Sequence, residues 1–400
     1  MTLARIVAKS LRQHALSTAV TSLAIALACA LLMTVWSVKQ QAQSTFTQVN
    51  AGFDAVLGAR SSKLQLVLNA VFHLEASPAN ITSNDVAEVQ RHPGVALAVP
   101  IAMGDNFHGY RIVGTTTNLF TDAEYAPERR HRLANGRWFE HGRQEAVVGS
   151  FAARRLGLKY GDKFQPFHGI NFDETHEHEE QYVVVGVLKP SNTPADRVLW
   201  IPLEGVQHMS GHAEETSTEV SAALVKLRAP MWGQTLDQFY NKKGNRLTFA
   251  WPIGTTMADL FNRLAWLDRV LALVAALVAV VAAGSILTSI YNSMNERRRQ
   301  IAIMRALGAR RATIASTILM EAMSIAFLGS IIGWVFYGVM MQGAAWVIQH
   351  QTGVVLEVFA FHDVLVWAPL GMIVLSALAG IVPAIKAYRT DVAGNLAPLS

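Results

Sequence analysis

Apolar residues are distributed unevenly along this chain of 400 residues. Four apolar runs are long enough to cross a bilayer, which takes about 20 helical residues. We predict these spans at 15–38, 267–294, 314–348 and 364–388. A short loop, 349–363, would join the last two spans, and a tail, 389–400, would follow the fourth. The pattern therefore predicts an α-helical membrane protein with four transmembrane helices and a large domain between the first two.

The inserted segment, residues 39–266, is predicted to be a mixed α/β domain with helical stalks at its ends. Six runs rich in β-branched residues, bounded by Gly or Pro, indicate strands. They are 96–102, 110–116, 145–150, 182–188, 198–203 and 222–227. Residues 82–95 and the first part of 151–164 have the pattern of short helices, and a Gly-Asp turn then leads into another strand. Residues 39–59 are predicted to extend the first span as a helix, and 255–269 to enter the second as one helix.

Composition supports a membrane protein and excludes other classes. Hydrophobic residues make up 51% of the chain and charged residues 16%, which is more apolar than an ordinary soluble protein of this size. The single cysteine, Cys29, excludes an internal disulfide and a cysteine-rich metal site. A cleaved signal peptide is an alternative for the first span, because Arg5, Lys9 and Arg12 precede it, but the apolar run is longer than a signal core.

Basic residues are concentrated in three short segments. The N-terminal segment 1–14, the loop 295–313 and the C-terminal end from Lys386 carry 11 basic and two acidic residues, whereas residues 39–266 carry 22 basic and 23 acidic residues. Short loops rich in Lys and Arg remain in the cytoplasm. We therefore predict a bacterial inner-membrane protein with cytoplasmic termini and a periplasmic large domain. The net charge of +5 reflects topology, not a nucleic-acid partner.

The loop 295–313 combines arginines with apolar residues in the sequence NERRRQIAIMRALGARRAT. We predict a short amphipathic helix, with Ile301 and Met304 on one apolar strip and Ile303 and Leu307 on the next. Gly308 would end the helix. Such a helix could lie on membrane lipid or enter a groove on a partner protein, and composition leaves both open.

The same loop resembles the cytoplasmic coupling segment of ABC transporter permeases of the MacB/FtsX type, which include the LolC and LolE subunits. GRWF (136–139), EAVVGSFAARRLGLKYGDKF (145–164) and YVVVGVL (182–188) resemble the periplasmic core domain of that family. GIVPAIKAYR (380–389) resembles the end of its last span. The ending TDVAGNLAPLS departs from the family, in which a proline and an apolar pair follow.

The resemblance implies a permease subunit that performs mechanotransmission and is not itself an enzyme. The residues that it assigns to ATPase coupling are Glu296, Arg297, Arg298, Arg299, Ile301, Met304, Arg305, Leu307 and Gly308. The chain has no G-x-x-x-x-G-K-[ST] loop, so ATP and Mg²⁺ would be bound by a separate ATPase subunit. A second permease chain, identical or different, and a periplasmic adaptor or substrate-binding protein are the other partners expected. The work would be export or substrate extraction.

The sequence leaves two other functions open. One is an FtsX-like transducer that regulates a periplasmic hydrolase, and the other is zinc-linked transport. The histidines that suggest zinc are His168, His176, His178, His208 and His212. Imidazoles beside carboxylates suit this metal, although a solvated acidic loop is the plainer interpretation. No H-E-x-x-H or G-x-S-x-G motif is present, so no catalytic residue is predicted.

Three residues of the third span are candidates for roles inside the membrane. Glu321 lies near the predicted cytoplasmic end, where we expect it to be solvated or paired with an arginine. Gly329 and Gly333 form a small-xxx-small pair suited to close helix packing, including contact between two permease chains.

Overall fold

The computed structural model divides the chain into two units. It describes residues 3–48, 51–169, 178–209, 218–296, 298–352 and 356–388. The membrane unit comprises Met1–Gln41, Ala265–Val347 and Leu356–Ser400. The large unit comprises Ala42–Leu264 and Ile348–Val355.

Helices occur in both units. In chain order the described ones are α1 (Leu3–Gln13), α2 (Ala15–Gln48), α3 (Lys63–Ala70), α4 (Ser83–Arg91), α5 (Asn118–Thr121), α6 (Ser150–Leu156), α7 (Leu203–Gln207), α8 (Met231–Asp237), α9 (Ile253–Arg263), α10 (Ala265–Glu296), α11 (Arg298–Ala306), α12 (Arg311–Thr352) and α13 (Val364–Tyr388). Helices α2, α10, α12 and α13 are long and apolar enough to cross a membrane. They contain the four apolar runs from which the spans were predicted.

The described strands all lie in the large unit. They are β1 (Ala55–Ala59), β2 (Ile81–Thr82), β3 (Val95–Phe107), β4 (Tyr110–Thr115), β5 (Leu133–Gly136), β6 (Glu145–Val148), β7 (Lys163–Phe164), β8 (Phe167–His168), β9 (Tyr182–Leu188), β10 (Leu199–Pro202), β11 (Glu219–Val220), β12 (Ala222–Leu227) and β13 (Leu247–Ala250). The main sheet has the order β13-β1-β12-β3-β4-β10-β6-β9-β5, with β7 beside β9 and β8 beside β3. Pairs β4–β10 and β6–β9 are parallel, so the sheet is mixed.

Apolar side chains cover both faces of this sheet. Successive residues of a strand point to opposite faces, and β1 shows the result. Val56 belongs to a buried cluster with Phe53 and Trp200, whereas Leu57 belongs to a second cluster with Phe249. All five residues of β1 are buried. The large unit therefore has its core on both sides of one sheet.

The sequence predicted much of this unit correctly. The six predicted strands are present as β3, β4, β6, β9, β10 and β12, and the two short helices as α4 and α6. The helix predicted over 39–59 is wrong in its second half, because β1 begins at Ala55. A short apolar run has no period that separates strand from helix. Its strand partners are distant in the chain: Val56 is paired with Leu224 in β12 and Ala250 in β13.

The continuous helix predicted over 255–269 is also corrected. Helix α9 ends at Arg263 and α10 begins at Ala265, with Leu264 between them. No Gly or Pro marks this position, so the usual helix-stop signals do not predict the interruption.

Polar side chains determine where α4 begins. The Asp85 N–H donates to Thr82 Oγ1 at 3.3 Å, and the Thr82 N–H donates to Asp85 Oδ2 at 2.9 Å, which forms a capping box. Arg246 Nη1 donates to the same Oδ2 at 2.9 Å. The Arg246 guanidinium, more than the bonds from Thr82, holds the pKa of Asp85 below its usual value. Asp85 thus joins α4 to the segment that leads into β13.

Candidate coupling segment and metal centre

The arginine-rich loop 295–313, called the coupling segment below, contains helix α11. Past the end of α11, Gly308 has a φ of 95°, a left-handed conformation that favours glycine. The Gly308 N–H donates to Arg305 O at 3.0 Å, and the Ala309 N–H donates to Met304 O at 3.0 Å. These bonds satisfy carbonyl groups that a helix end otherwise leaves open. The helix and its stop are as the sequence predicted.

The apolar side chains of α11 face in two directions. Ile301 is 6% exposed, whereas Ile303 is 44% and Leu307 83% exposed. Met304 is half-buried. Ile301, which the resemblance assigned to coupling, therefore holds α11 within its own unit. Ile303 also lines a cavity within this unit, so Leu307, which directly follows α11, is the most open apolar side chain of the coupling segment.

The charged residues of the coupling segment are described less completely. Arg305 is half-buried and Gly308 is exposed. For Glu296, Arg298 and Arg299 the structure describes the backbone but not the side chain, and Arg297 lies outside the described residues. Their assignment to ATPase coupling stays a prediction.

A cavity of about 470 Å³ lies beside the coupling segment, within the membrane unit. Its walls come from α1, the end of α10, the coupling segment and the start of α12. They are mainly apolar and include Ile6, Met294, Ile301 and Ile318. Residues of α1, α10 and α12 thus lie around the same cavity as residues of α11.

Glu321 lines the same cavity. It belongs to α12, is 7% exposed and accepts a hydrogen bond from Ser10 Oγ of α1. A buried carboxylate needs a polar partner because its desolvation is costly. Glu321 is therefore not exposed to solvent, and the structure gives it a serine hydroxyl as a partner. The alternative expectation, a pairing with an arginine, stays a prediction. Helix α1, which the sequence analysis treated only as a cytoplasmic segment, is bonded to α12 in this way.

Gly329 and Gly333 lie on the face of α12 that packs against α2. A Cβ atom at Gly329 would lie 2.8 Å from Ile25 Cβ and 2.8 Å from the Ser22 carbonyl oxygen. A Cβ atom at Gly333 would lie 3.2 Å from Cys29 Cβ. Both positions thus allow two helix backbones to approach closely. The face is covered within one chain, which corrects the suggestion that it contacts a second permease chain.

Two of the five predicted metal-binding histidines lie together in the large unit, beside a carboxylate that the sequence analysis missed. His178 Nε2 lies 3.1 Å, and His168 Nδ1 3.4 Å, from Asp105 Oδ1. The possible ligand atoms of these three residues all lie within 4.8 Å of one another. The Asp105 side chain is fully buried, the His178 side chain is nearly so, and the His168 side chain is 51% exposed.

Strand pairing explains how these residues meet. Strands β3 and β8 are antiparallel, and Asp105 is directly opposite His168. The β3–β4 register shifts between Met103 and Asp105, an irregularity of the kind that re-aims side chains. The His178 N–H donates to Pro166 O at 2.9 Å, which holds His178 close to the start of β8. Sheet register and one loop hydrogen bond therefore bring the three side chains together.

Of the other three predicted metal ligands, only His208 is described by the structure, and it is not part of this group. His208 lies at the end of α7, where its ring Nδ1 is 3.0 Å from Glu204 O, and it is outside the cluster found among the described residues. His176 and His212 lie outside the described residues. Among the described residues, strand β3 supplies the additional ligand. The only signal for Asp105 in the sequence is that it is the single charged residue of a long, mainly apolar strand.

The fold defines a multi-pass membrane protein with a large α/β unit inserted after its first long helix. A model of the MacB-like periplasmic core domain matches residues 18–236, more than half of the chain, and a model of the FtsX-like permease C-terminal region matches residues 272–392. The chain belongs to the MacB/FtsX family of ABC transporter permeases.

Relatives in this family are distant. An uncharacterized ABC transporter permease of Mycobacterium tuberculosis is 22% identical over 251 residues, which cover 62% of each chain. The macrolide export ATP-binding/permease protein MacB of Brucella melitensis is 23% identical over 342 residues, which cover 81% of this chain and 50% of MacB. MacB of Nitrosomonas europaea is 25% identical, with coverages of 78% and 47%. The chain thus spans about half to three fifths of these relatives' lengths.

Two solved structures also match parts of the chain. The extracellular domain of the noncanonic ABC-type transporter YknZ is 15% identical, with a TM-score of 0.30, and covers 49% of this chain and 99% of its own. The periplasmic region of MacB from Actinobacillus actinomycetemcomitans is 11% identical, with a TM-score of 0.36, and the match covers 54% of this chain and 94% of that one.

Proposed function

We propose that this permease couples ATP hydrolysis by a separate ATPase subunit to conformational work in its large unit. The ATPase would bind ATP and Mg²⁺ and dock on the coupling segment. The permease would then transmit the resulting motion to drive export or substrate extraction on the far side of the inner membrane.

The observation that carries this proposal is the divided apolar surface of α11. Ile301 is buried within the membrane unit, while Leu307 is 83% exposed at the end of the helix. Exposed apolar residues at helical spacing are the means by which an amphipathic helix enters a groove on another protein. One face of α11 thus holds it to the permease, and the other is available to a partner.

Chain connectivity supports a route for the motion. The coupling segment begins within the last turn of α10, and residues of both line the same cavity. At its other end, α10 is separated from α9 of the large unit only by Leu264. A push on α11 would therefore be passed into α10 and along a helix of 32 residues to the connection with the large unit.

The distribution of charge supports the proposed orientation of the chain in the membrane. Arginines cluster in the coupling segment, while the large unit is nearly neutral, so the positive-inside rule places the coupling segment and both termini in the cytoplasm. The large unit would then be periplasmic. A second permease chain would complete the assembly, and the open sides of α10, which include Leu273, Val280 and Val281, are available to lipid or to that chain.

Leu307→Asp tests the docking surface. We expect the affinity for an ATP-binding subunit co-expressed with the permease to fall at least about tenfold, or about 1.4 kcal/mol, because an unpaired carboxylate would be buried in the contact. Permease-dependent stimulation of ATP turnover should fall with it. Binding is measured in detergent with purified subunits. Because Leu307 is exposed, the fold of the permease should be preserved.

Met231→Asp is the matched control, since Met231 is 72% exposed on the large unit. It introduces the same charge but should leave both binding and stimulation at wild-type values. Wild-type behaviour of Leu307→Asp would remove the coupling segment as the docking site. If the wild-type chain associates with no ATP-binding subunit, the proposal as a whole is wrong.

A further inference from the structure

We propose that Asp105, His168 and His178 form a binding site for a divalent transition metal, with zinc as the ion that their chemistry fits best. This inference concerns the large unit alone and does not depend on coupling to an ATPase.

The separations of the ligand atoms are close to those of a tetrahedral zinc site. In tetrahedral zinc sites, nitrogen and oxygen ligands lie at about 2.0–2.2 Å from the metal, which places neighbouring ligand atoms about 3.3–3.6 Å apart. Asp105 Oδ1 is 3.1 Å from His178 Nε2 and 3.4 Å from His168 Nδ1. The ligand atoms of the two histidines also lie within 4.8 Å of each other. Small side-chain rotations would complete the geometry.

Burial distinguishes this cluster from a solvated acidic loop. The Asp105 side chain is fully buried and the His178 side chain only 4% exposed. A buried carboxylate is costly unless a cation or hydrogen-bond donors compensate its charge. A metal ion coordinated by the carboxylate and two neutral imidazoles would provide this compensation directly.

The exposed side chain of His168 provides a route by which a metal ion could enter the cluster. The His168 side chain is 51% exposed, so an ion could reach the cluster from solvent without unfolding the sheet. One carboxylate and two imidazoles supply three ligands and leave the fourth tetrahedral position for water or another donor. Nitrogen and oxygen ligands in this combination suit zinc and Co²⁺ better than Ca²⁺ or Mg²⁺, which prefer oxygen alone.

The position in the chain indicates what the ion would do. His168 ends β8, and His178 lies ten residues further along the chain. Asp105 belongs to β3 near the middle of the main sheet. A bound ion would therefore link His178 and β8 to β3, and metal binding to a folded site of this kind adds to the stability of the fold.

The test uses the full chain, purified in detergent, treated with chelator and then titrated with Co²⁺. We expect about one equivalent of Co²⁺ per chain, with the visible absorption of a four-coordinate ion, and displacement by stoichiometric zinc. His168→Ala should weaken binding at least about tenfold. This variant removes an exposed side chain and should fold. Asp105→Asn should have a similar effect while preserving the shape of the buried side chain.

His208→Ala is the matched control because His208 is also exposed in the large unit but lies outside the cluster. It should bind Co²⁺ and zinc as tightly as the wild type. The proposal is overturned if the wild type binds no more tightly than His168→Ala, since the cluster is then only a hydrogen-bonded group. Equal losses in His208→Ala and His168→Ala would also overturn it, because the metal would then be held elsewhere.

Discussion

The large unit and the membrane unit place the same kinds of side chain in opposite positions. In the large unit, Phe53, Leu57 and Trp200 are at most 2% exposed. In α10 of the membrane unit, Val280 is 64% and Val281 69% exposed. Water drives apolar side chains into a core, whereas lipid is as apolar as leucine and does not. Exposed valines are therefore ordinary in α10.

Because lipid does not drive apolar side chains inwards, the helices of the membrane unit are held together in a different way from the core of the large unit. Glycines of α12 contact the backbone of α2, and Ser22 Oγ donates to Ile325 O at 3.4 Å between the same helices. Ser17 and Ser289 hydroxyls lie 2.7 Å apart between α2 and α10. Close backbone approach and polar contacts thus add to the burial of apolar side chains between these helices, such as Ile25.

The largest expected effect concerns which side of the membrane each region faces. After the native thiol is removed by Cys29→Ala, a cysteine at Ala306 in the coupling segment should resist a membrane-impermeant thiol reagent in intact cells. A cysteine at Lys189 in the large unit should react fully. Both positions are exposed, so accessibility within the protein does not distinguish them. Lysed cells are the control, where both should react, and the reverse pattern in intact cells would overturn the proposed orientation.

The next largest effect is expected from a substitution that disturbs the packing of α12 against α2 in the membrane unit. Gly329→Leu would place side-chain atoms where Ile25 and the Ser22 carbonyl already lie, 2.8 Å from the first added atom. Overpacking of this kind costs about 1–3 kcal/mol, or more where the backbone cannot move. We expect a lower thermal midpoint in detergent and less folded protein in the membrane.

Gly338→Leu is the control on the same helix, because a Cβ atom there meets nothing within 4 Å. The thermal midpoint of Gly338→Leu in detergent should be close to that of the wild type. Equal losses in the two glycine variants would mean that the α2–α12 contact does not hold the membrane unit together.

The smallest expected effect is a loss of folding stability at low pH, caused by two buried histidines of the large unit. Burial lowers the pKa of His73 to about 3 and that of His131 to about 4. Both stay neutral in the folded chain, while the unfolded chain takes up protons below about pH 6.5. Stability should therefore decrease as pH falls from about 6.5 towards these folded values, by roughly 2 kcal/mol per histidine at pH 5.

His73→Asn tests this dependence. Asparagine tolerates the left-handed φ of 55° at this position and cannot titrate. The loss of stability between pH 7.5 and 5.0, measured by thermal unfolding in detergent, should be smaller than in the wild type by roughly 2 kcal/mol. The exposed control His208→Asn should retain the wild-type loss. An unchanged loss in His73→Asn would show that His73 is protonated in the folded chain.

Local patterns determined much of this protein. Long apolar runs indicated the four membrane-length helices, β-branched runs indicated six strands, and Gly308 marked the end of α11. The family resemblance was carried by contiguous segments, and the two family models match regions that contain them. Each of these features depends on residues close together in the chain, so a single sequence contains the signal.

Only the tertiary structure decided the remaining features, since each depends on partners far apart in the chain. Residues 55–59 form a strand because β12 and β13 flank them. Ile301 is buried and Leu307 exposed because of what packs around α11, although both are apolar positions of one short helix. Asp105 joins His168 and His178 through the register of β3 and β8. Spacing along the chain specifies a local period, but distant pairing depends on which surfaces bury each other.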